Sequence, residues 1–238
     1  VFWGIPNGTV RENVNGSVVV FDAFNGSHEI GHALGLRHDG QSGGNEYYSG
    51  HGIWGPIMGG AAGKKLSQFS KGEYTSASVT EDDLAIITRA ANGIKYREDD
   101  YNNTIEQATA LNVSANQRIT SETNNGIIER NDDVDMFSLI IEQTSLLTLG
   151  VYPEKYANEL GSNIKLELTL LDEQGELLQT GLPAYPHTLG NKIVTELSPG
   201  TYYLQVDGVG AGDPAAQGFS DYGSLGYYRF SGKLESAQ

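Results

Sequence analysis

The chain has 238 residues, 38% of them apolar, no cysteine and a formal net charge of −15 at pH 7. The apolar content allows one large packed domain or two ordinary ones. The composition excludes disulfide frameworks and thiolate chemistry, and the lack of any run of 18 apolar residues argues against membrane insertion.

The negative charge lies mainly in the second half: the balance is −2 over residues 1–98 and −13 over residues 99–238. Such an acidic region disfavours nucleic acid and anionic membranes as partners. It supplies oxygen ligands of the type that calcium prefers, although acidic surfaces also simply keep proteins soluble.

The first elements along the chain are two predicted strands and a short helix. The runs "VFWGI" (1–5) and "SVVVFDA" (17–23) are β-branched and aromatic and are bounded by Asn-Gly turns, which favours strands. The helix that follows holds His28 and His32 and is predicted to end at Gly35.

A glycine-rich passage and a second helix complete the first hundred residues. Residues 40–63 contain too many turn formers for regular structure. The segment "TEDDLAIITRAANG" (80–93) is a predicted helix, capped by Thr80 with Asp83 as a capping-box-like partner and stopped by Gly93.

The second half changes to period-two alternation separated by turns. Hairpin-type turns are predicted at Asp172–Gly175 and at "SPGT" (198–201). Short strands at regular spacing with no helical pattern between them predict a β-sandwich, with a domain boundary near residues 95–100. The predicted strands cover residues 135–142, 145–152, 163–172, 192–198, 201–208 and 226–234.

The stretch "HEIGHALGLRH" holds three of the five histidines. His28 and His32 are four residues apart, so they share one face of a helix and can meet one ion. Gly35 can take a positive φ and turn the chain, so that His38 arrives as a third ligand. Three nitrogens leave a fourth position open, which is typical of catalytic zinc. Glu29 can then take the proton of a water that zinc has acidified.

The alternative is that these are ordinary surface histidines. H-E-x-x-H alone is only moderately specific. The full pattern H-E-x-x-H-x-x-G-x-x-H fixes five positions, and coincidence is then below about one in twenty. The sequence therefore predicts a zinc site with Glu29 as its general base.

The same stretch resembles the extended zinc signature of the metzincin endopeptidases. Downstream, "GPIMGG" (55–60) is similar to their Met-turn, which implies that Met58 lies beneath the three imidazoles. Asp39, directly after the third histidine, is similar to the reprolysin branch, in which this aspartate braces the site; it can equally be a solvated loop charge. No tyrosine follows Met58 until Tyr74, so no tyrosine ligand is assigned.

The metzincin resemblance implies an α+β zinc-protease region over residues 1–95, but only a partial one. Only 27 residues precede His28, where metzincins place a twisted sheet and a long helix. Asn25 and Gly26 are also poor helix residues just before the zinc helix. We therefore expect a region that lacks most of its upper subdomain, as in a fragment, an internal deletion or a degraded protease.

The second half resembles the bacterial pre-peptidase C-terminal (PPC) domain, a β-sandwich appended to secreted proteases. The resemblance covers residues 99–234 and rests on "DDYNNTIEQAT", "DDVDMFSL", "PGTYYLQVDGVG" and "SDYGSLGYY". It implies a jelly-roll-like all-β sandwich over residues 99–238 that aids secretion, folding or substrate adherence. Some relatives bind calcium, which implies as candidate calcium ligands Asp132, Asp133, Asp135, Asp207, Asp213 and Asp221. Asp135 can instead stabilise the turn into its strand.

Three functional hypotheses follow. The first is a secreted, extracellular bacterial zinc metalloendopeptidase that acts on proteins or peptides, with Zn²⁺ and Ca²⁺ as candidate cofactors. The second is a catalytically impaired chain whose role is carried by the sandwich as a substrate-binding or secretion module, for instance on extracellular matrix or another polymer. Hydrolysis of a different substrate class is a third hypothesis, disfavoured by the Met-turn resemblance. His51, also near the motif, is interpreted as a turn residue rather than an active-site residue.

Overall fold

The computed structural model describes residues 21–153, 160–183 and 188–236. Their contacts form two units. The first contains the described residues up to Arg97 together with those within 155–164 and 210–225, and the second contains the rest. The chain first passes between units close to the predicted boundary. The two later segments of the first unit come from within the predicted sandwich, and the sequence pattern did not indicate them.

The first unit contains short elements joined by turns. Helix α1 covers Phe21–Leu34, and helix α2 covers Asp83–Thr88. Strands β1 (Trp54–Pro56) and β2 (Leu66–Gln68) pair in parallel, with Trp54 opposite Leu66. All six residues of these two strands are buried, so this small sheet lies in the core of the unit.

The predicted α+β protease region is wrong. In the described part of the first unit, α1 has 14 residues, α2 has 6, and one 3₁₀ turn has 3. The sheet of this unit has two strands of three residues each. Such a sheet is too small to form a layer that helices could cover. Glycines with positive φ, such as Gly43 at 108° and Gly44 at 118°, keep the passage between α1 and β1 in turns. The described chain is therefore mostly β.

The predicted strand at residues 17–23 is also wrong where it is described. Helix α1 already includes Phe21, and it runs through Asn25 and Gly26 despite their low helix propensity. The ring of Phe24 lies 6.3 Å from that of His28, one turn further on, and such (i, i+4) pairs stabilise helices. Residues 1–5, the other predicted strand, lie outside the described residues.

Helix α2 is shorter than predicted and has a different cap. Asp82 rather than Thr80 caps it, because its Oδ1 accepts a hydrogen bond from Ala85 N at 2.9 Å. Leu84 and Ile87 lie on one face of the helix and are buried, with 2% and 4% of their surface exposed. After α2 a 3₁₀ turn at Ala90–Asn92 ends at a glycine with φ of 64°.

The second unit is a sandwich of two sheets. One sheet has the order β10-β11-β7-β13-β4, with β5 also paired to β13; the other has the order β3-β6-β12-β8-β9. Pairing is antiparallel except between β3 and β6. The strands are β3 (Thr109–Ala110), β4 (Arg118–Ile119), β5 (Asn125–Ile128), β6 (Val134–Ile141), β7 (Ser145–Pro153), β8 (Leu166–Leu171), β9 (Leu177–Thr180), β10 (Leu182–Pro183), β11 (Asn191–Leu197), β12 (Gly200–Gly208) and β13 (Gly226–Ser236).

The core of the sandwich lies between the two sheets. Buried and less buried residues alternate along β6, β7 and β8, as expected for strands with one face in the core. Phe137 on β6 and Phe230 on β13 meet edge to face at 5.1 Å, which joins the two sheets. The "SPGT" segment connects β11 of one sheet to β12 of the other, so it does not form the predicted hairpin. No described helix is long and apolar enough to cross a membrane.

Candidate metal centre

The end of α1 turns the chain back so that a third histidine approaches the helix. Gly35 has φ of 101°, a conformation that favours glycine. Leu36 N donates to Gly31 O at 3.0 Å, and Gly35 N donates to His32 O at 2.9 Å. These are the two hydrogen bonds of a Schellman motif. The helix therefore ends at Leu34, and the reversal of the chain brings His38 close to His32.

The three predicted zinc ligands converge. Nε2 of His32 lies 3.2 Å from Nε2 of His28 and 2.8 Å from Nε2 of His38. A zinc ion about 2.0–2.1 Å from two nitrogens in tetrahedral geometry holds them about 3.3 Å apart, close to these distances. The three side chains form one cluster able to hold a metal ion.

Hydrogen bonds to backbone carbonyls set the tautomers of the two helical histidines. His28 Nδ1 lies 2.8 Å from Ile57 O, and His32 Nδ1 lies 2.9 Å from Leu36 O. A carbonyl oxygen only accepts, so each Nδ1 carries the proton and each Nε2 presents a lone pair. Two lone pairs facing each other at 3.2 Å repel unless a cation lies between them. The donor set therefore fits zinc.

The predicted Met-turn packs under this helix. Met58 is fully buried, and a Cβ at Gly31 of α1 would overlap its sulfur. Met58 O accepts a hydrogen bond from Asp39 N at 2.9 Å. Ile57, the preceding residue, supplies the carbonyl that orients His28. The turn thus supports the ligands through both backbone and side chain.

Glu29, the predicted general base, is exposed on α1 beside the first ligand. Burial lowers the pKa of His28 below its ordinary value, and the charges of His32 and His38 lower it further. The hydrogen bond to Ile57 and the charge of Glu29 raise this pKa and so oppose the change. The neutral imidazole, with its lone pair on Nε2, is the form that binds metal. An exposed carboxylate next to such a centre can accept a proton from water.

Asp39 is buried rather than a solvated loop charge. It is 3% exposed, and Tyr74 Oη lies 3.4 Å from its Oδ1. Burial raises the pKa of Asp39 to about 7, against the opposing hydrogen bond from Tyr74, and burial together with Asp39 raises that of Asp83 to about 9. Asp39 O accepts from Tyr48 N at 2.7 Å, so this residue ties the third ligand to the following loop.

Two residues of that loop lie at the centre, and the sequence pattern did not single them out. Glu46 Oε1 lies 2.8 Å from Nδ1 of His38. The ring of Tyr47 lies 4.2 Å from that of His38 and 6.0 Å from that of His28, and Tyr47 is 45% exposed. The available signal was a charged and an aromatic residue inside a glycine-rich passage. Their positions depend on the path of a loop that has no periodicity.

His51 is not a member of the metal cluster. Its Nδ1 lies 2.6 Å from Tyr48 Oη and its Nε2 lies 2.5 Å from Gly218 O. It lines a small cavity with Trp54 and Tyr222, and none of the three ligand histidines lines that cavity. These contacts match a structural role in the loop.

A second group of candidate ligands lies in the sandwich unit. Asp99, Glu129 and Asp133 form one acidic cluster, and Asp99, Asp100 and Asp135 form another. Two of the six sequence-predicted calcium ligands are therefore in these clusters. No cluster found among the described residues includes the other four predicted ligands, Asp132, Asp207, Asp213 and Asp221.

Several carboxylate oxygens in these clusters are buried without a hydrogen-bond partner among the described residues. They are both oxygens of Glu129 and one each of Asp133 and Asp135. Burial raises the pKa of Glu129 and of Asp135 to about 9 and that of Asp100 to about 6. Tyr228 Oη donates to Asp135 Oδ2 at 2.5 Å. Buried carboxylates of this kind are costly unless a proton or a cation neutralises them.

Comparisons with known proteins find little. No family model matches the chain, and no curated protein matches it. Among solved structures, the chain is similar to the pre-peptidase C-terminal domain of a collagenase from Bacillus anthracis. The identity is 20%, the match covers 56% of this chain and 100% of that chain, and the TM-score is 0.36.

The chain is also similar to a periplasmic inhibitor of g-type lysozyme from Aeromonas hydrophila. The identity is 9%, the match covers 54% of this chain and 96% of that chain, and the TM-score is 0.35. The first of these neighbours is a PPC domain, the family that the second half of the chain resembles. Nothing in the comparisons supports the metzincin resemblance, and at these TM-scores neither neighbour assigns an activity to this chain.

Proposed function

We propose that the protein is a secreted bacterial zinc metalloendopeptidase whose centre is His28, His32 and His38, of the kind found in metzincins. The observation that carries the proposal is the convergence of three Nε2 atoms, two of them fixed as lone-pair donors by backbone carbonyls. The cluster found among the described residues has three nitrogens and no fourth protein ligand, which suits catalysis better than a structural site, since a fourth protein ligand would close such a site.

In this proposal the chain supplies ligands, support and a base. Zinc, when bound, is a Lewis acid that acidifies water and polarises a peptide carbonyl. Glu29 takes the proton from the attacking water and later passes it to the leaving amine. Met58 and Asp39 hold the ligands from the buried side. Tyr47, exposed beside His38, is placed to contact the substrate.

The test combines zinc content, peptidase assay and one isosteric substitution. We expect the purified protein to bind one zinc and to cleave a casein-like protein, with cleavage abolished by a chelator. Glu29→Gln keeps the shape and removes the base, so activity should fall by about 100- to 10,000-fold with zinc still bound. Glu173→Gln, at an exposed glutamate of the sandwich, is the matched control and should have no effect. A wild-type protein that binds one zinc and hydrolyses nothing contradicts the proposal.

The second candidate is a chain without peptidase activity whose role is carried by the sandwich as a binding or secretion module. Large apolar side chains on consecutive strands favour it: Leu177 is 63%, Leu178 50% and Leu182 71% exposed. One of the similar solved structures is the pre-peptidase C-terminal domain of a collagenase, which is compatible with this candidate. This second candidate predicts that the protein binds an insoluble polymer, and that neither the Glu29→Gln substitution nor a chelator removes that binding. Loss of that binding on Leu178→Ser with the fold intact would support it.

We also propose that the acidic clusters of the sandwich bind calcium. Calcium takes six to eight oxygen ligands, and the buried unpartnered carboxylate oxygens of Glu129, Asp133 and Asp135 are of the type that it prefers. Calcium at 100 times its dissociation constant should stabilise the unit by about 2.7 kcal/mol, seen as a rise in Tm. Glu129→Gln should remove most of that rise, and Asp213→Asn should not. Equal melting in millimolar calcium and in chelator contradicts the proposal.

A further inference from the structure

The third zinc ligand differs from the other two in the group that orients it. His28 and His32 each hydrogen-bond through Nδ1 to a backbone carbonyl. His38 Nδ1 instead lies 2.8 Å from the side-chain carboxylate of Glu46. Of the three partners of the ligand histidines, this is the one that a point substitution can remove without altering the backbone.

The loop that carries Glu46 is built to bring it to this place. Gln41 N donates to Asn45 O, and Tyr48 N donates to Asp39 O, both at 2.7 Å, so the two ends of the loop are closed on each other. A Cβ at Gly40 would lie 2.5 Å from Asn45 O and 2.8 Å from Glu46 O. The backbone at Glu46 therefore passes where only glycine leaves room.

We propose that Glu46 is a positioning residue for His38, which it holds as a ligand by accepting the Nδ1 proton. The inference rests on the proposed function in that His38 is taken to bind zinc. Holding the proton on Nδ1 leaves the lone pair on Nε2, fixes the orientation of the ring and raises the basicity of the ligand. Removing such a partner lowers metal affinity by about 10- to 100-fold.

Stability and zinc affinity separate this role from a merely structural one. The Glu46 side chain is 69% exposed, and exposed ion pairs contribute little to folding. Removing it should therefore leave unfolding of the zinc-free protein almost unchanged while weakening zinc binding. A residue that only held the loop together would change both.

The experiment measures the zinc dissociation constant of the full chain by competition with a chromophoric chelator, and the visible spectrum of the cobalt(II) form. Glu46→Ala should weaken zinc binding about 10- to 100-fold and change the cobalt spectrum. Glu46→Gln keeps an acceptor oxygen without the charge, so its zinc dissociation constant should lie between those of Glu46→Ala and wild type. Glu173→Ala is the matched control and should match wild type.

The outcomes are distinct for the two proposals. If wild type binds one zinc and Glu46→Ala binds it within twofold with an unchanged cobalt spectrum, the role of Glu46 is overturned and the metal centre stands. If wild type binds no zinc, both are overturned.

Gly40→Ala provides a second, independent variant. It should displace the backbone at Glu46 and weaken zinc binding in the same direction. If Gly40→Ala weakens binding while Glu46→Ala does not, the loop rather than the carboxylate matters, and the proposal is overturned.

Discussion

Two glycines of the same helix provide a test of how the turn at Met58 supports the candidate metal centre. Gly26 and Gly31 both lie in α1. A Cβ at Gly26 meets nothing within 4 Å, whereas a Cβ at Gly31 would overlap the sulfur of Met58 and lie 3.3 Å from Leu36 Cδ1. Met58 and Leu36 are 0% and 4% exposed, so neither can move into solvent.

The expected effects of Gly26→Ala and Gly31→Ala can be compared directly. Replacing glycine by alanine within a helix stabilises by up to about 1 kcal/mol through propensity, and this gain is common to both variants. Overpacking a buried site costs about 1–3 kcal/mol. The free energy of unfolding of Gly31→Ala should therefore lie about 1–3 kcal/mol below that of Gly26→Ala.

The metal centre should respond in the same way. Ordinary contact distances of about 3.5–4.0 Å require Met58 and α1 to separate by about 1 Å or more in Gly31→Ala. A displacement of that size can lower the rate of a catalytic site about 100-fold, and we expect it to weaken zinc binding as well. Urea unfolding followed by circular dichroism, with zinc affinity measured on the same samples, provides the assay. If Gly31→Ala is as stable as Gly26→Ala and binds zinc equally well, the packing of Met58 under α1 is refuted.

Three further predictions concern other parts of the chain. Gly35→Ala should lose about 1 kcal/mol or more of stability and weaken zinc binding, because φ is 101° and a Cβ would meet Arg89; a variant with wild-type stability in urea contradicts the C-cap. Asp83 is 1% exposed and burial raises its pKa to about 9, so between about pH 4 and pH 9 the folded state holds a proton that the unfolded state has lost. Stability should fall as pH rises through that window, by at most about 1.4 kcal/mol per pH unit for this group, and Asp83→Asn should flatten the profile in pH-dependent melts; a profile unchanged by Asp83→Asn would show that other groups cause it. Phe230→Ala should cost the sandwich about 3–5 kcal/mol in denaturant unfolding, since the ring is fully buried against Phe137, and a loss below 1 kcal/mol would contradict the described core.

The strands of the sandwich show what period-two alternation can reveal. Each of the six predicted runs overlaps one long strand, β6, β7, β8, β11, β12 or β13, and the ends differ by at most three residues. The five shorter strands were not predicted, because two to four residues are too few to display a period. Which strands pair, and that "SPGT" crosses between sheets, depends on contacts between distant residues.

The first unit shows where local patterns fail. An apolar β-branched run predicted a strand at residues 17–23, yet the helix begins by Phe21. Thr80 satisfied the capping pattern, but Asp82 makes the hydrogen bond. In both cases several local structures were compatible with the sequence, and packing decided between them.

The sequence by itself determined that His28, His32 and His38 could meet as candidate ligands, because helical spacing and a turning glycine are local properties of the chain. Only the tertiary structure decided how they are held. The carbonyl of Ile57 and the carboxylate of Glu46 reach the rings through chain reversals. The acidic clusters likewise join residues about 30 positions apart, from Asp99 to Glu129 and Asp133. The Ile57 and acidic-cluster contacts depend on long-range folding, and the Glu46 contact depends on the path of an irregular loop; no periodic pattern in the sequence encodes either.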